Sequence, residues 1–64
     1  MGNLSRNVKA ARNKREWTQE ELSQCSGVQA GEISRIEAGK RDPRVSTVEK
    51  LARALGLSPG RLLD

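Results

Sequence analysis

The chain has 64 residues, with 12 Lys+Arg against 8 Asp+Glu and a formal charge of +4, enough for one domain over residues 1–64 and no second core. One cysteine and no histidine exclude a disulfide framework and imidazole acid–base chemistry, and leave no metal site in view. No apolar run is long enough to span a membrane and no secretory leader is recognisable, so a soluble cytoplasmic protein is expected, whose surplus positive charge favours polyanionic partners.

The first segment runs from about Leu4 to Arg15. Leu4, Val8 and Ala11 fall at i, i+4 and i+7, one apolar stripe of a helix, with Asn3 placed to cap it. Arg6, Lys9, Arg12, Lys14 and Arg15 make the rest of that segment basic, as a solvated helix face would be.

The second segment has the sharpest start. Thr18-Gln19-Glu20-Glu21 is a capping box, in which hydroxyl and carboxylate each serve the other residue's amide. Trp17 and Leu22 bracket it as a hydrophobic staple. Trp17 can also be read as a stacking platform, but its place beside the cap favours the staple. The helix should end at Cys25-Ser26, with Gly27 as the left-handed terminator and Cys25 a semi-buried filler.

The third segment is expected from about Gln29 to Ala38, ending at Gly39, with Val28, Ile33 and Ile36 as its apolar side. Gly31 weakens a helix interior by about 1 kcal/mol relative to alanine, which suits a position where something approaches closely. Lys40-Arg41-Asp42-Pro43-Arg44 reads as a basic loop, with Asp42 turned toward Arg44 or capping the loop. Ser46-Thr47-Val48-Glu49 reads as a second capping box. It opens a fourth helix whose Val48, Leu51, Ala52 and Leu55 share one face, and Gly56 ends that helix. Ser58-Pro59 then starts a short fifth helix, stapled by Leu57 and Leu62. No stretch alternates with period two, so the expected fold is all-α, a compact five-helix bundle.

Only three or four residues, centred on Ser26-Gly27-Val28, separate the second and third helices. A link that short sets them at a steep angle, and small Ser23 allows close packing. The stretch TQEELSQCSGVQAGEISRIEAGKRDPRVSTVEKLARALGLS resembles the helix-turn-helix domain of the phage repressor and Cro (XRE-type) family of bacterial regulators, and the likeness extends from about Leu4 to Leu63. The resemblance implies a sequence-specific transcriptional regulator of repressor type. It would bind double-stranded DNA as a homodimer, on a palindromic operator, with its third helix in the major groove. It also implies a structural ion pair between Arg12 and Glu37.

Carried over by match, the base-facing positions are Gln29, Ala30, Gly31, Ser34 and Arg35. Ala30 and Gly31 depart from the longer amide side chains of the better-known phage repressors. They would let the helix sit deeper and bring Ala30 to a thymine methyl, leaving Gln29 to read adenine and Arg35 guanine. Arg35 can equally reach a phosphate or pair with Glu32, and Glu32 is either a helix-start charge or a reader of cytosine. Phosphate contacts are expected from Thr18 and Gln19, where free amides open the second helix, and from Lys40, Arg41 and Arg44. Leu57, Leu62 and Leu63 give the last helix more apolar surface than a small domain easily covers, which suggests a dimer contact. The alternative is a protein-interaction module, such as an antitoxin or adaptor, that uses the same apolar helix. No cofactor, metal or small-molecule ligand is implied, and an enzyme is disfavoured because no nucleophile–base set or phosphate-cradling loop is present.

Overall fold

The computed structural model describes residues 3–64, and the first two residues of the expected 1–64 domain lie outside the described residues. Five helices follow in order: α1 (Leu4–Lys14), α2 (Gln19–Ser26), α3 (Ala30–Glu37), α4 (Val45–Leu55) and α5 (Pro59–Leu63). No strand occurs among the described residues. α1 packs on α3, α4 and α5, and α2 packs on α3 and α4, so every helix turns one face to a shared centre.

That centre is built from the apolar stripes. Leu4 and Val8 enter it from α1, Leu22 from α2, Ile33 and Ile36 from α3, and Val48, Leu51, Ala52 and Leu55 from α4. Val28 adds to it from the link before α3. Ala11 and Trp17 lie half-buried against its edge. Spacing at three and four residues aligns these side chains on one side of each helix, and their removal from water is the main force holding the bundle.

Leu62 also lies in this core, with none of its surface exposed, so it is not available as a dimer contact. The reason is an attachment between the chain's two ends. On α1, the Asn7 side-chain amide donates to the carbonyl of Leu62 at 2.9 Å, and Asn3, just before α1, donates to the main-chain oxygen of Asp64. These amides satisfy carbonyls that a five-residue helix leaves free, and they hold α5 flat against α1. Leu57 is half-buried against the core, and Leu63 remains 41% exposed.

The helix starts divide into those that use their side chains and those that do not. The Thr18 box forms in full: Glu21 N–H donates to Thr18 Oγ1 at 3.1 Å, and Thr18 N–H to Glu21 Oε1 at 2.8 Å. Thr18→Ala is expected to destabilise the domain by about 1 kcal/mol in urea unfolding, and a change below a few tenths would show that the cap contributes nothing. The expected Ser46 box does not form. α4 starts earlier, after an extended Arg44 whose carbonyl accepts from both Thr47 and Val48 at 3.0 Å, so Ser46 lies inside the first turn. Asn3 and Ser58 occupy cap positions without side-chain capping bonds; Asn3 is drawn to Asp64 instead. α3 begins one residue later than expected, with Gln29 as an extended cap residue.

α2 closes on Gly27, whose φ of 79° is the left-handed conformation that glycine adopts without a Cβ clash. Its N–H donates to Ser23 at 2.9 Å, and Ser26 Oγ accepts from Val28 N–H at 3.1 Å, which fixes the exit toward α3. Arg15 donates to the carbonyl of Leu55 at 3.0 Å, while its guanidinium lies 5.2 Å from the centre of the Trp17 ring. One cation thus covers the aromatic face and closes the end of α4.

Candidate nucleic-acid interface

α3 carries two opposed sets of residues. Ile33 and Ile36 point into the core, at 0% and 1% exposure. Gly31, Ser34 and Arg35 are exposed, Ala30 is half-exposed, and the preceding Gln29 is exposed with no capping bond to hold its side chain. Residues 30 and 34, and 31 and 35, are one turn apart, so these positions form a continuous outward face. A Cβ built on Gly31 would meet only the Arg35 guanidinium, at 3.7 Å, so no other part of the chain crowds that position.

A half-buried polar cluster holds the angle between α1, α2 and α3. Arg12 Nε donates to Glu37 Oε2 at 2.8 Å and Nη2 to Oε1 at 3.0 Å, a bidentate pair with the two side chains 12% and 4% exposed. Arg12 Nη1 donates to the Trp17 carbonyl at 2.6 Å, and Gln19 Nε2 donates to Glu37 Oε1 at 3.1 Å. The carboxylate therefore joins the body of α1, the first residue of α2 and the end of α3. The Arg12 guanidinium is held above its ordinary pKa, first by its hydrogen bond to Glu37 and then by the opposite charge, against burial, which acts the other way. The Arg12–Glu37 pair is thus formed. Gln19, expected as a free clamp, has one amide N–H already bonded to Glu37.

Thr18 is exposed at the start of α2, and Lys40, Arg41 and Arg44 are exposed after α3. Arg41, Arg44 and Lys50 of α4 border an open depression of about 400 Å³ beside Gln29 and Glu32. Lys50 carries no mark in the sequence: it is one lysine on the polar side of a helix, and only the packing of α4 brings it to this rim. Asp42 pairs with no cation among the described residues. The ion pairs here run from Arg41 Nε to Glu32 Oε2 at 3.2 Å and from Arg35 Nη2 to Glu32 Oε1 at 3.5 Å. Cys25 is exposed rather than semi-buried, since Leu22 is the α2 residue that enters the core.

Two helices joined by a three-residue link, with the second presenting a face free of any core role, define a helix-turn-helix domain. The helix-turn-helix family model matches residues 8–62, and the chain belongs to that family. It is 45% identical over 56 residues to the HTH-type transcriptional repressor RghR of Bacillus subtilis, covering 86% of this chain and 42% of RghR. It is 37% identical over 60 residues to the control protein C.SmaI of Serratia marcescens, covering 94% of this chain and 71% of that protein. Among solved structures, the restriction-modification controller protein C.AhdI of Aeromonas hydrophila superposes with a TM-score of 0.89 at 27% identity, over 94% of this chain and 91% of that one. The chain spans 42% of RghR and 21% of another curated relative, so it equals a minor part of some regulators and most of others.

Proposed function

We propose that this chain is a sequence-specific, double-stranded-DNA-binding transcriptional regulator of repressor type. It acts in the cytoplasm as a homodimer on a palindromic operator, with α3 in the major groove. The observation that carries this reading is the outward face of α3: Gln29, Gly31, Ser34 and Arg35 are exposed while Ile33 and Ile36 bury the opposite side. A helix held rigidly by its core side, with a free polar side, can enter a groove without disturbing the fold. Gln29 and Arg35 supply the amide and guanidinium that match adenine and guanine edges, and Ala30 and Gly31 allow a close approach. Thr18, Gln19, Lys40, Arg41, Arg44 and the additional Lys50 surround that face and serve as phosphate contacts, giving salt-sensitive affinity. The names of RghR and of the control proteins agree with a regulatory role.

Leu63 and half-buried Leu57 are the remaining candidates for the dimer contact. The interaction-module alternative uses the same apolar α5, and it loses Leu62 to the chain's own core.

Selection of bound duplexes from a random pool tests the reading directly. The expected product is a two-fold symmetric motif with half-sites about one helical turn apart. In the same selection, Arg35→Ala is expected to relax preference at one position per half-site, worth about 1–3 kcal/mol of discrimination. A pool that returns no motif would reject sequence-specific recognition, and an unchanged motif with the variant would remove Arg35 from base reading.

A further inference from the structure

α3 brings to the proposed DNA face a carboxylate that the functional reading does not use. Glu32 lies in the first turn of α3, its side chain 20% exposed, between two guanidiniums that are themselves about half exposed. Its Oε1 accepts from Arg35 Nη2 at 3.5 Å and its Oε2 pairs with Arg41 Nε at 3.2 Å. One oxygen thus faces the cation of the recognition helix and the other faces the cation of the following loop. The arrangement adds little to stability, because half-exposed ion pairs contribute little to folding. Its consequence lies in which hydrogen-bond donors and which charges remain for a ligand.

A guanidinium has five N–H donors in a planar fork. Glu32 engages Arg35 through Nη2 alone, so the Nε and Nη1 groups remain, and the side chain lies back over Gly31, where no Cβ displaces it. A base edge offers neutral acceptors and can bind those donors while the carboxylate stays in place. A phosphate is different. It carries full negative charge, and beside Glu32 it meets a cation already neutralised and a carboxylate that repels it. The same holds for Arg41 in the loop.

We propose that Glu32 is a specificity-determining positioning residue. As an internal counterion for Arg35 and Arg41, it suppresses sequence-independent phosphate binding and leaves Arg35 aligned for a base edge. This inference rests on the DNA-binding reading above and adds to it the means by which a domain of charge +4 limits its affinity for random duplex.

The test compares the full chain with Glu32→Gln, which keeps the side chain's shape and removes its charge. Binding to random-sequence duplex and to the selected operator is measured between 50 and 200 mM salt, with melting curves of both proteins alongside. The variant is expected to bind random duplex more tightly. Its salt slope should steepen by about 0.9, the value for one additional phosphate contact, so that its affinity ratio between the two salt concentrations grows about 3.5-fold. Operator affinity should rise less, so the operator-to-random ratio falls. The Arg41 Nε–H resonance should shift in free Glu32→Gln as the charge paired with it is removed, a change that a general loss of helix stability would not produce selectively. An unchanged slope and ratio overturn the proposal. So does loss of preference for cytosine at one operator position with the slope intact, because Glu32 would then be reading a base. If the parent chain binds neither duplex in a salt-dependent way, the DNA-binding reading itself fails, and that result is seen before the variant is examined.

Discussion

Glu37→Ala is expected to remove most of the domain's stability. The substitution takes away both acceptors of a bidentate pair and leaves Arg12, 12% exposed, as a charge without its partner beside the core; Gln19 loses its bond at the same time. Breaking one side of a buried pair costs about 3–5 kcal/mol. Against this, a domain of this length has a total of about 3–10 kcal/mol at the usual 0.05–0.15 kcal/mol per residue. Urea unfolding should therefore find Glu37→Ala largely unfolded or close to its midpoint in buffer. The guanidinium's raised pKa contributes stability that is fully present below its ordinary value and is lost only as pH climbs through the raised one, so a measurement near neutrality sees all of it. Arg12→Met/Glu37→Leu is the control. Replacing both charges by apolar side chains leaves nothing unpaired, and this protein should be within about 1 kcal/mol of the parent or more stable. It should also lose the fixed junction that Glu37 makes with Gln19, and operator affinity should fall although the protein folds. A single Glu37→Ala that loses less than about 1 kcal/mol would mean that water replaces the carboxylate and that the pair does not hold the helices.

The unequal legibility of these features follows from how far each interaction reaches along the chain. The Thr18–Glu21 box and the Gly27 turn involve partners three or four residues apart, so the local pattern contains the whole interaction. Ser46-Thr47-Val48-Glu49 has the same local pattern and does not act on it. Several starts are compatible with the α4 stripe, and the one adopted gives the Arg44 carbonyl two amides. The Thr18 box marked where α2 begins, but the turn that ends α1 left no mark of its own, because Glu16 takes a left-handed φ of 58° without a glycine to announce it. Glu37 carries no sign in its immediate neighbours of the partner 25 residues earlier; its pairing with Arg12 came from resemblance to a family. The base-facing positions of α3 likewise came from resemblance to a family; local spacing marked only Ile33 and Ile36 as its apolar side. The links from Glu32 to Arg41 and from Lys50 to the same rim depend on how a loop and a second helix return to α3, which no periodicity encodes.

The same long-range dependence explains Leu62 and sets the last expectation. Three leucines near the end of a short chain look like surplus apolar surface if the gap between α1 and α4 is not known. α5 fills that gap: it packs on both helices, Asn7 bonds the carbonyl of Leu62, and the side chain reaches zero exposure. Leu62→Ala should therefore act as a core truncation, lowering unfolding free energy by about 2–5 kcal/mol through lost burial and the cavity left behind. That loss should be the same at low and high protein concentration. Leu63, 41% exposed on the same helix, should behave in the opposite way. Leu63→Ser should change stability by less than about 0.5 kcal/mol, as surface substitutions do, yet shift sedimentation toward the monomer if α5 forms the contact between two copies. The pair of variants separates folding from assembly within two adjacent residues. A stable but monomeric Leu62→Ala would place that side chain between subunits instead, and would require α5 to detach from α1 when the dimer forms.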